Sequence, residues 1–231
     1  MSQSTLLVIS GPSGTGKRPL VEALHRKCVF HEVPVHIHFT DGATVPGVQR
    51  IRTHEIVAIQ SPRFVNDEVR GELNAVDLDE LDEALDSNVP VVIVLHYTLA
   101  QKLVEHGRIR ARAGAGLRIV TVFLSPFSER EIHACSHPDL VFPTIMQGRQ
   151  LQRALTEAAE GRRARRMVEA TESVGARERV RTTVAEIQAR GWFDYQLTLR
   201  DGYLPFVWQA DPPQGDGGQV LARLLMILGS S

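Results

Sequence analysis

The chain has 231 residues, 43% hydrophobic and 23% charged, with a formal net charge of −1. That length and composition fit one ordinary globular α/β domain with excursions. The near-neutral balance gives no global drive toward nucleic acid or an anionic membrane. Two cysteines, Cys28 and Cys135, make neither a disulfide framework nor a zinc pattern. The apolar runs fall short of a membrane span. The first is also too short for a signal peptide and lacks a basic leader, so a reduced, cytoplasmic protein without a membrane partner is expected.

The elements alternate from the start. Thr5–Ser10 is apolar and bounded by glycine, which predicts a buried strand. It runs into Gly11-Pro12-Ser13-Gly14-Thr15-Gly16-Lys17-Arg18. Gly11, Gly16 and Lys17 fit the phosphate-loop spacing G-x-x-x-x-G-K. Glycines let consecutive backbone N–H groups curl inward, and a helix that starts here adds its unsatisfied N–H groups and positive dipole end. Lys17 is then a point charge for outer phosphates. The next residue in such loops is Ser or Thr, whose hydroxyl binds Mg²⁺. Arg18 has no acceptor and cannot do so. Pro19 falls in the first helical turn, where a missing N–H costs little.

A helix is predicted over Arg18–Lys27 and a half-buried strand over Val33–Thr40. Ile56–Ile59 is a short strand candidate. Leu78, Leu81, Ala84 and Leu85 line one face of a helix over Asp77–Asp86, with Asp77 able to cap it. Its acidic run reads as a solvated face. Val89–Leu95 and Leu117–Leu124 read as strands covered on both faces, with a helix over Leu99–His106 between them. A long helical region is expected from about Arg149 to Arg190, interrupted near Thr171–Gly175. Tyr195–Leu199 reads as the last strand and Val220–Leu228 as the closing helix. This order argues for a mostly parallel sheet with helices on both faces.

The wording Gly11–Lys17 resembles the loop of the guanylate kinase family of nucleoside monophosphate kinases. Glu83-Ala84-Leu85 followed by Asn88–Leu95 resembles that family's helix before its central strand. Arg179-Val180 through Glu186-Ile187, then Phe193-Asp194-Tyr195, resembles its last helix and strand. The resemblance implies a P-loop kinase core in one domain, with an acceptor-binding excursion at 35–75 and a lid-like excursion at 126–178. It implies ATP and Mg²⁺, with the γ-phosphoryl passing to a nucleoside monophosphate such as GMP. Gly11, Pro12, Ser13, Gly14, Thr15, Gly16, Lys17 and Arg18 would hold the nucleotide, and Lys17, Arg165 and Arg179 would serve catalysis.

The chain also departs from that family. Its guanine-site pattern is absent, with Thr40, Arg50, Arg52 and Arg63 the nearest chemistry. Its central strand ends in an acidic residue near the metal; here it ends Val94-Leu95-His96-Tyr97. Histidine does not replace a carboxylate as a hard Mg²⁺ ligand. The lid wording gives way to Gly161-Arg162-Arg163-Ala164-Arg165-Arg166, which reads either as a phosphate clamp or as a solvated helix face. RNA binding would need interleaved aromatics and a basic domain, which the chain lacks. His31, His36 and His38 invite a metal reading, with His36 and His38 on one strand face; a polar face explains them without a metal, for want of an evident Cys or carboxylate partner. Asp41, Glu68 and Glu72 are candidate acceptor contacts. Two alternatives stay open: a kinase of a phosphorylated sugar such as ribose bisphosphate, and a non-catalytic nucleotide-binding or scaffold protein.

Overall fold

The computed structural model describes residues 4–37, 48–50, 61–69, 72–159 and 182–229. The chain folds as α/β, with a five-stranded sheet flanked by helices. Its strands are β1 (Thr5–Ser10), β2 (His31–Glu32), β7 (Val91–Val94), β8 (Arg118–Ser125) and β9 (Tyr195–Thr198). Their order is β2-β7-β1-β8-β9. β7 pairs in parallel with both β1 and β2. A four-stranded sheet of order β4-β3-β6-β5 is built from β3 (Val35–Ile37), β4 (Val48–Arg50), β5 (Phe64–Val69) and β6 (Glu72–Asp77). There β3–β4 is parallel, while β3–β6 and β5–β6 are antiparallel.

Two compact units divide the chain. The first comprises residues 1–10, 27–122 and 227–231. Every residue of β1 is buried, as a strand covered on both faces must be. The same unit buries Leu78, Leu81 and Leu85 of α2 (Leu78–Asp86), Leu99 and Leu103 of α3 (Tyr97–Glu105), and Ile109 of α4 (Gly107–Gly114). Asp77 caps α2, accepting from the backbone N–H of Asp79 at 2.9 Å and Glu80 at 3.4 Å. The acidic run of α2 is not simply a wet face. Asp77 is 4% exposed, and Asp79, Asp82 and Asp86 pair with Arg108 and Arg112 of α4.

The second unit comprises residues 11–26 and 123–226. It holds α1 (Lys17–His25), α5 (Glu129–Ala134), α6 (Pro138–Ala159), α7 (182–189) and most of α8 (Asp216–Leu228). Phe127, Phe142, Met146 and Ile187 form one of its apolar clusters, and Phe193 packs on Phe123 at 5.3 Å between ring centres.

Most expected elements are present within a residue or two of their bounds. Three differences have physical reasons. Strands β5 and β6 were not expected, because the apolar residues of FVNDEV and ELNAVD neither alternate strictly nor form an unbroken run. Helices α4 and α5 were not expected either: α4 buries only Ile109 and α5 buries nothing, so neither shows an apolar stripe. A capping box at Ser128 and Glu131 starts α5 instead. The long helix begins at Pro138, well before Arg149, and Pro143 inside it disguises its first turns. Of the strand expected over Val33–Thr40, Val35–Ile37 is seen, while residues 38–40 and the Ile56–Ile59 candidate lie outside the described residues.

Candidate functional site

The second unit carries the glycine-rich loop. Gly11, Gly14 and Gly16 have φ of 140°, 90° and 91°, conformations that side chains resist. Two of these glycines also permit close approach of backbone. A Cβ at Gly11 would stand 2.3 Å from the Leu124 carbonyl oxygen, and one at Gly16 would stand 2.1 Å from that of Gly202. Gly202 in turn would push a Cβ to 2.6 Å from the Thr15 oxygen. The Trp208 indole Nε1 donates to the Gly202 carbonyl at 2.7 Å. Thr15, fully buried, donates through its hydroxyl to the Pro12 carbonyl at 3.0 Å. The loop is therefore seated on the strand end of β8 and on the turn after β9, backbone against backbone.

The loop ends on α1, whose N-cap Gly16 offers no side-chain hydrogen bond and whose first turn holds no acidic residue. No carboxylate of that first turn offsets the positive dipole end. The Lys17 ammonium donates to the Gly11 and Pro12 carbonyls at 2.5 and 2.9 Å, which keeps it over the loop. Arg18 runs down the helix, donating from Nε to Glu22 at 3.2 Å.

Two residues that sequence reasoning did not single out stand in the same unit. The Arg149 guanidinium lies 5.0 Å from the Tyr203 ring centre and 5.7 Å from that of Phe127. Burial pushes its pKa down, against the charges of Tyr203, Asp201 and Glu131. Its Nη1 is buried with no hydrogen-bond partner among the described residues. Tyr203 follows Gly202 directly, so the stacked pair is anchored to the turn that seats Gly16. A flat cation on an aromatic ring is a surface for planar rings. Its signal in sequence is nil, since Arg149 and Tyr203 are 54 positions apart by subtraction of their numbers.

Arg165 and Arg179 lie outside the described residues, as do Arg162, Arg163, Arg166, Thr40, Asp41 and Arg52. Glu68 is exposed on β5, across from Leu73.

The first unit places different chemistry together. His96 follows β7 by two residues and is the N-cap position of α3. Its Nδ1 is 2.8 Å from the Thr98 hydroxyl, which donates to Asp67 on edge strand β5. The Lys102 ammonium donates to the other Asp67 oxygen at 2.6 Å. Burial would raise the Asp67 carboxyl, but hydrogen bonds from Lys102 and Thr98, with the Lys102 charge, more than offset it and hold it below the ordinary carboxylate range.

His36 finds the carboxylates that sequence did not provide: one of its ring nitrogens, one Asp77 oxygen and one Glu80 oxygen lie within 4.8 Å of one another. Both Asp77 oxygens already accept from the Arg63 guanidinium, at 2.9 Å from Nε. A cation thus already occupies Asp77, and the group is a helix cap with ion pairs.

The chain thus combines an α/β sheet flanked by helices with a glycine-rich loop between its first strand and first helix. A solved guanylate kinase from Anaplasma phagocytophilum is similar across 99% of this chain and 86% of that one, with a TM-score of 0.56 and 17% sequence identity. No protein-family model matches the chain, and no curated protein matches it in sequence. The likeness is therefore one of fold, a nucleotide-kinase-like fold. No helix among the described residues is long and apolar enough to cross a membrane.

Proposed function

We propose that this protein binds ATP on the loop Gly11–Arg18 and transfers its γ-phosphoryl group to a small phosphorylated acceptor in the cytoplasm. The single observation that carries the proposal is the loop itself: positive-φ glycines seated on backbone, leading into an uncapped helix with Lys17 above. Such a cradle suits an oligophosphate. The Arg149–Tyr203 pair offers a planar ring a stacking surface. Arg165 and Arg179 are proposed to neutralise charge on the transferring group, as arginines do in phosphoryl transfer. The acceptor favoured by the fold likeness is a nucleoside monophosphate such as GMP. A phosphorylated sugar such as ribose bisphosphate is the next, because the guanine-site wording is absent.

Mg²⁺ fits the protein side of this site poorly. Arg18 offers no acceptor oxygen and turns to Glu22, and in the sequence His96 stands where the central strand of the resembled family ends in a carboxylate. An ion that accompanies ATP would be held by phosphates and water.

A coupled assay of ATP consumption with GMP, dGMP, other monophosphates and ribose phosphates tests the proposal. Turnover with at least one acceptor is expected, abolished in Lys17→Ala; no turnover with any sinks it. The same two departures, Arg18 and His96, favour a second reading, a nucleotide-binding protein without catalysis. Calorimetry separates the two: ATP binding that is indifferent to Mg²⁺, together with no turnover, supports the second.

A further inference from the structure

The glycine-rich loop rests on a tight turn whose own anchors lie outside the loop. The Leu204 N–H donates to the Asp201 carbonyl at 2.8 Å, so Gly202 and Tyr203 are the two central residues of a β-turn. Gly202 faces the loop, where a Cβ on Gly16 would stand 2.1 Å from the Gly202 oxygen. That oxygen is fixed by the Trp208 indole at 2.7 Å. The Tyr203 ring is fixed by Arg149 of α6, whose guanidinium carbon lies 5.0 Å from its centre and 5.7 Å from that of Phe127. Phe127 in turn belongs to the apolar cluster with Phe142, Met146 and Ile187. Contacts therefore run without a break from that cluster through Arg149, Tyr203 and Gly202 to Gly16, all within the second unit.

An arginine is a costly way to fill the space between two rings if packing is its only purpose. Burial works against its charge, offset in part by Asp201 and Glu131. Its Nη1 is buried with no hydrogen-bond partner among the described residues, and a buried unsatisfied donor destabilises a fold. A methionine of similar length would fill the same gap without that cost. What the guanidinium adds is orientation, because a flat cation holds an aromatic ring face to face. We infer that Arg149 is a positioning residue for the phosphate loop. It holds Tyr203, and through the turn Asp201–Leu204 it holds Gly16 where the first N–H groups of α1 converge on an oligophosphate. This rests on the reading of the loop as a phosphate cradle and deepens it. The role differs from that of a stacking surface for a base: Arg149 governs affinity for the phosphate chain itself, whether or not a nucleoside is attached.

The test is calorimetry of the full chain with two probes, ATP and inorganic tripolyphosphate, alongside thermal unfolding. Arg149→Met is expected to weaken both probes by the same factor, roughly 2- to 30-fold, with the unfolding midpoint unchanged or raised. Tyr203→Leu is expected to weaken both similarly, and the double variant no more than the larger single one, because the two act through one contact. Leu224→Val, at a buried position of α8 in the same unit, is expected to lower the midpoint and leave both affinities unchanged, which separates positioning from loss of stability. A loss for ATP alone overturns the inference and leaves the pair as a surface for the base. So do affinities that Arg149→Met leaves unchanged, an equal loss in Leu224→Val, or losses that add in the double variant. No binding of either probe by the parent chain overturns the phosphate-cradle reading as well.

Discussion

The two units each carry a candidate site, and they are built from different materials. In one, the loop Gly11–Arg18 is positioned by backbone against backbone, with Gly11 on Leu124 and Gly16 on Gly202. In the other, His96, Asp67 and Asp77 are positioned by side chains, most of them charged: Lys102 with the Thr98 hydroxyl on Asp67, Arg63 on Asp77. A backbone-built site is intolerant of added volume but nearly blind to pH and salt. A charge-built site is the reverse. The contrast can be broken by experiment, and the largest effect belongs to the backbone.

Gly16→Ala puts a Cβ 2.1 Å from a carbonyl that Trp208 already holds, at a φ of 91°. Left-handed strain costs about 1–3 kcal/mol and overpacking a similar amount. Thermal unfolding should therefore drop on the order of 10 °C. A midpoint within a degree of the parent would mean that the loop is not seated on Gly202. Lys17→Ala comes next and reads out in binding, not folding. Losing a charged hydrogen-bond donor costs about 1.5–3 kcal/mol, so ATP affinity by calorimetry should fall roughly 10- to 100-fold with the unfolding midpoint little changed. Unchanged affinity would remove the loop from the functional argument.

This difference in materials also explains what was legible in the sequence. Glycines that must adopt positive φ cannot be replaced silently, so the loop announced itself as Gly11, Gly14 and Gly16. The buried strands were legible for a related reason: β1 and β7 need unbroken apolar runs. The four-stranded sheet was not, because the apolar residues of β5 and β6 follow no clear strand period and pairing sets their identity. Nor was the His96–Thr98–Asp67 hydrogen-bonded set, whose Asp67 is 29 positions upstream of His96 by subtraction of the residue numbers. His36 was read without a carboxylate partner because Asp77 and Glu80 reach it only through the fold. Pairwise contacts between distant side chains leave no periodicity to read.

Asp77 tests the charge-built unit directly. It caps α2 through two backbone N–H groups and accepts from Arg63. Losing such a cap costs about 1–2 kcal/mol, so Asp77→Ala should lower the midpoint by several degrees, less than Gly16→Ala. The acid response has a fixed sign. Burial would raise the Asp77 and Asp67 carboxyls, but Arg63, Lys102, Thr98 and backbone donors hold both below the ordinary value of 3.8. Folding is thus favoured fully above that pH, and the contribution is lost as pH falls through the depressed folded values. The wild-type advantage over Asp67→Asn in chemical unfolding should be flat above about pH 5 and shrink below 3.8. An advantage that grows toward low pH would reverse the assigned ionisation.

The smallest effect is expected where charge pairs are most exposed. Arg108 donates to Asp79 at 3.0 Å and also pairs with Asp82, tying α4 to α2. Exposed pairs contribute little because water screens them and ordering long side chains costs entropy. Arg108→Ala should lower the midpoint less than Asp77→Ala does, and the difference should vanish near 1 M salt, where the screening length is about 3 Å. Asp77 is the instructive control, because its cap is made with backbone N–H groups and its oxygens are buried. Its loss should persist at high salt while that of Arg108 disappears. The Gly16→Ala penalty should not respond to salt at all, since it arises from strain and contact. If salt erased the Gly16 penalty along with that of Arg108, the loop would be held by charge, and the division between the two units would fail.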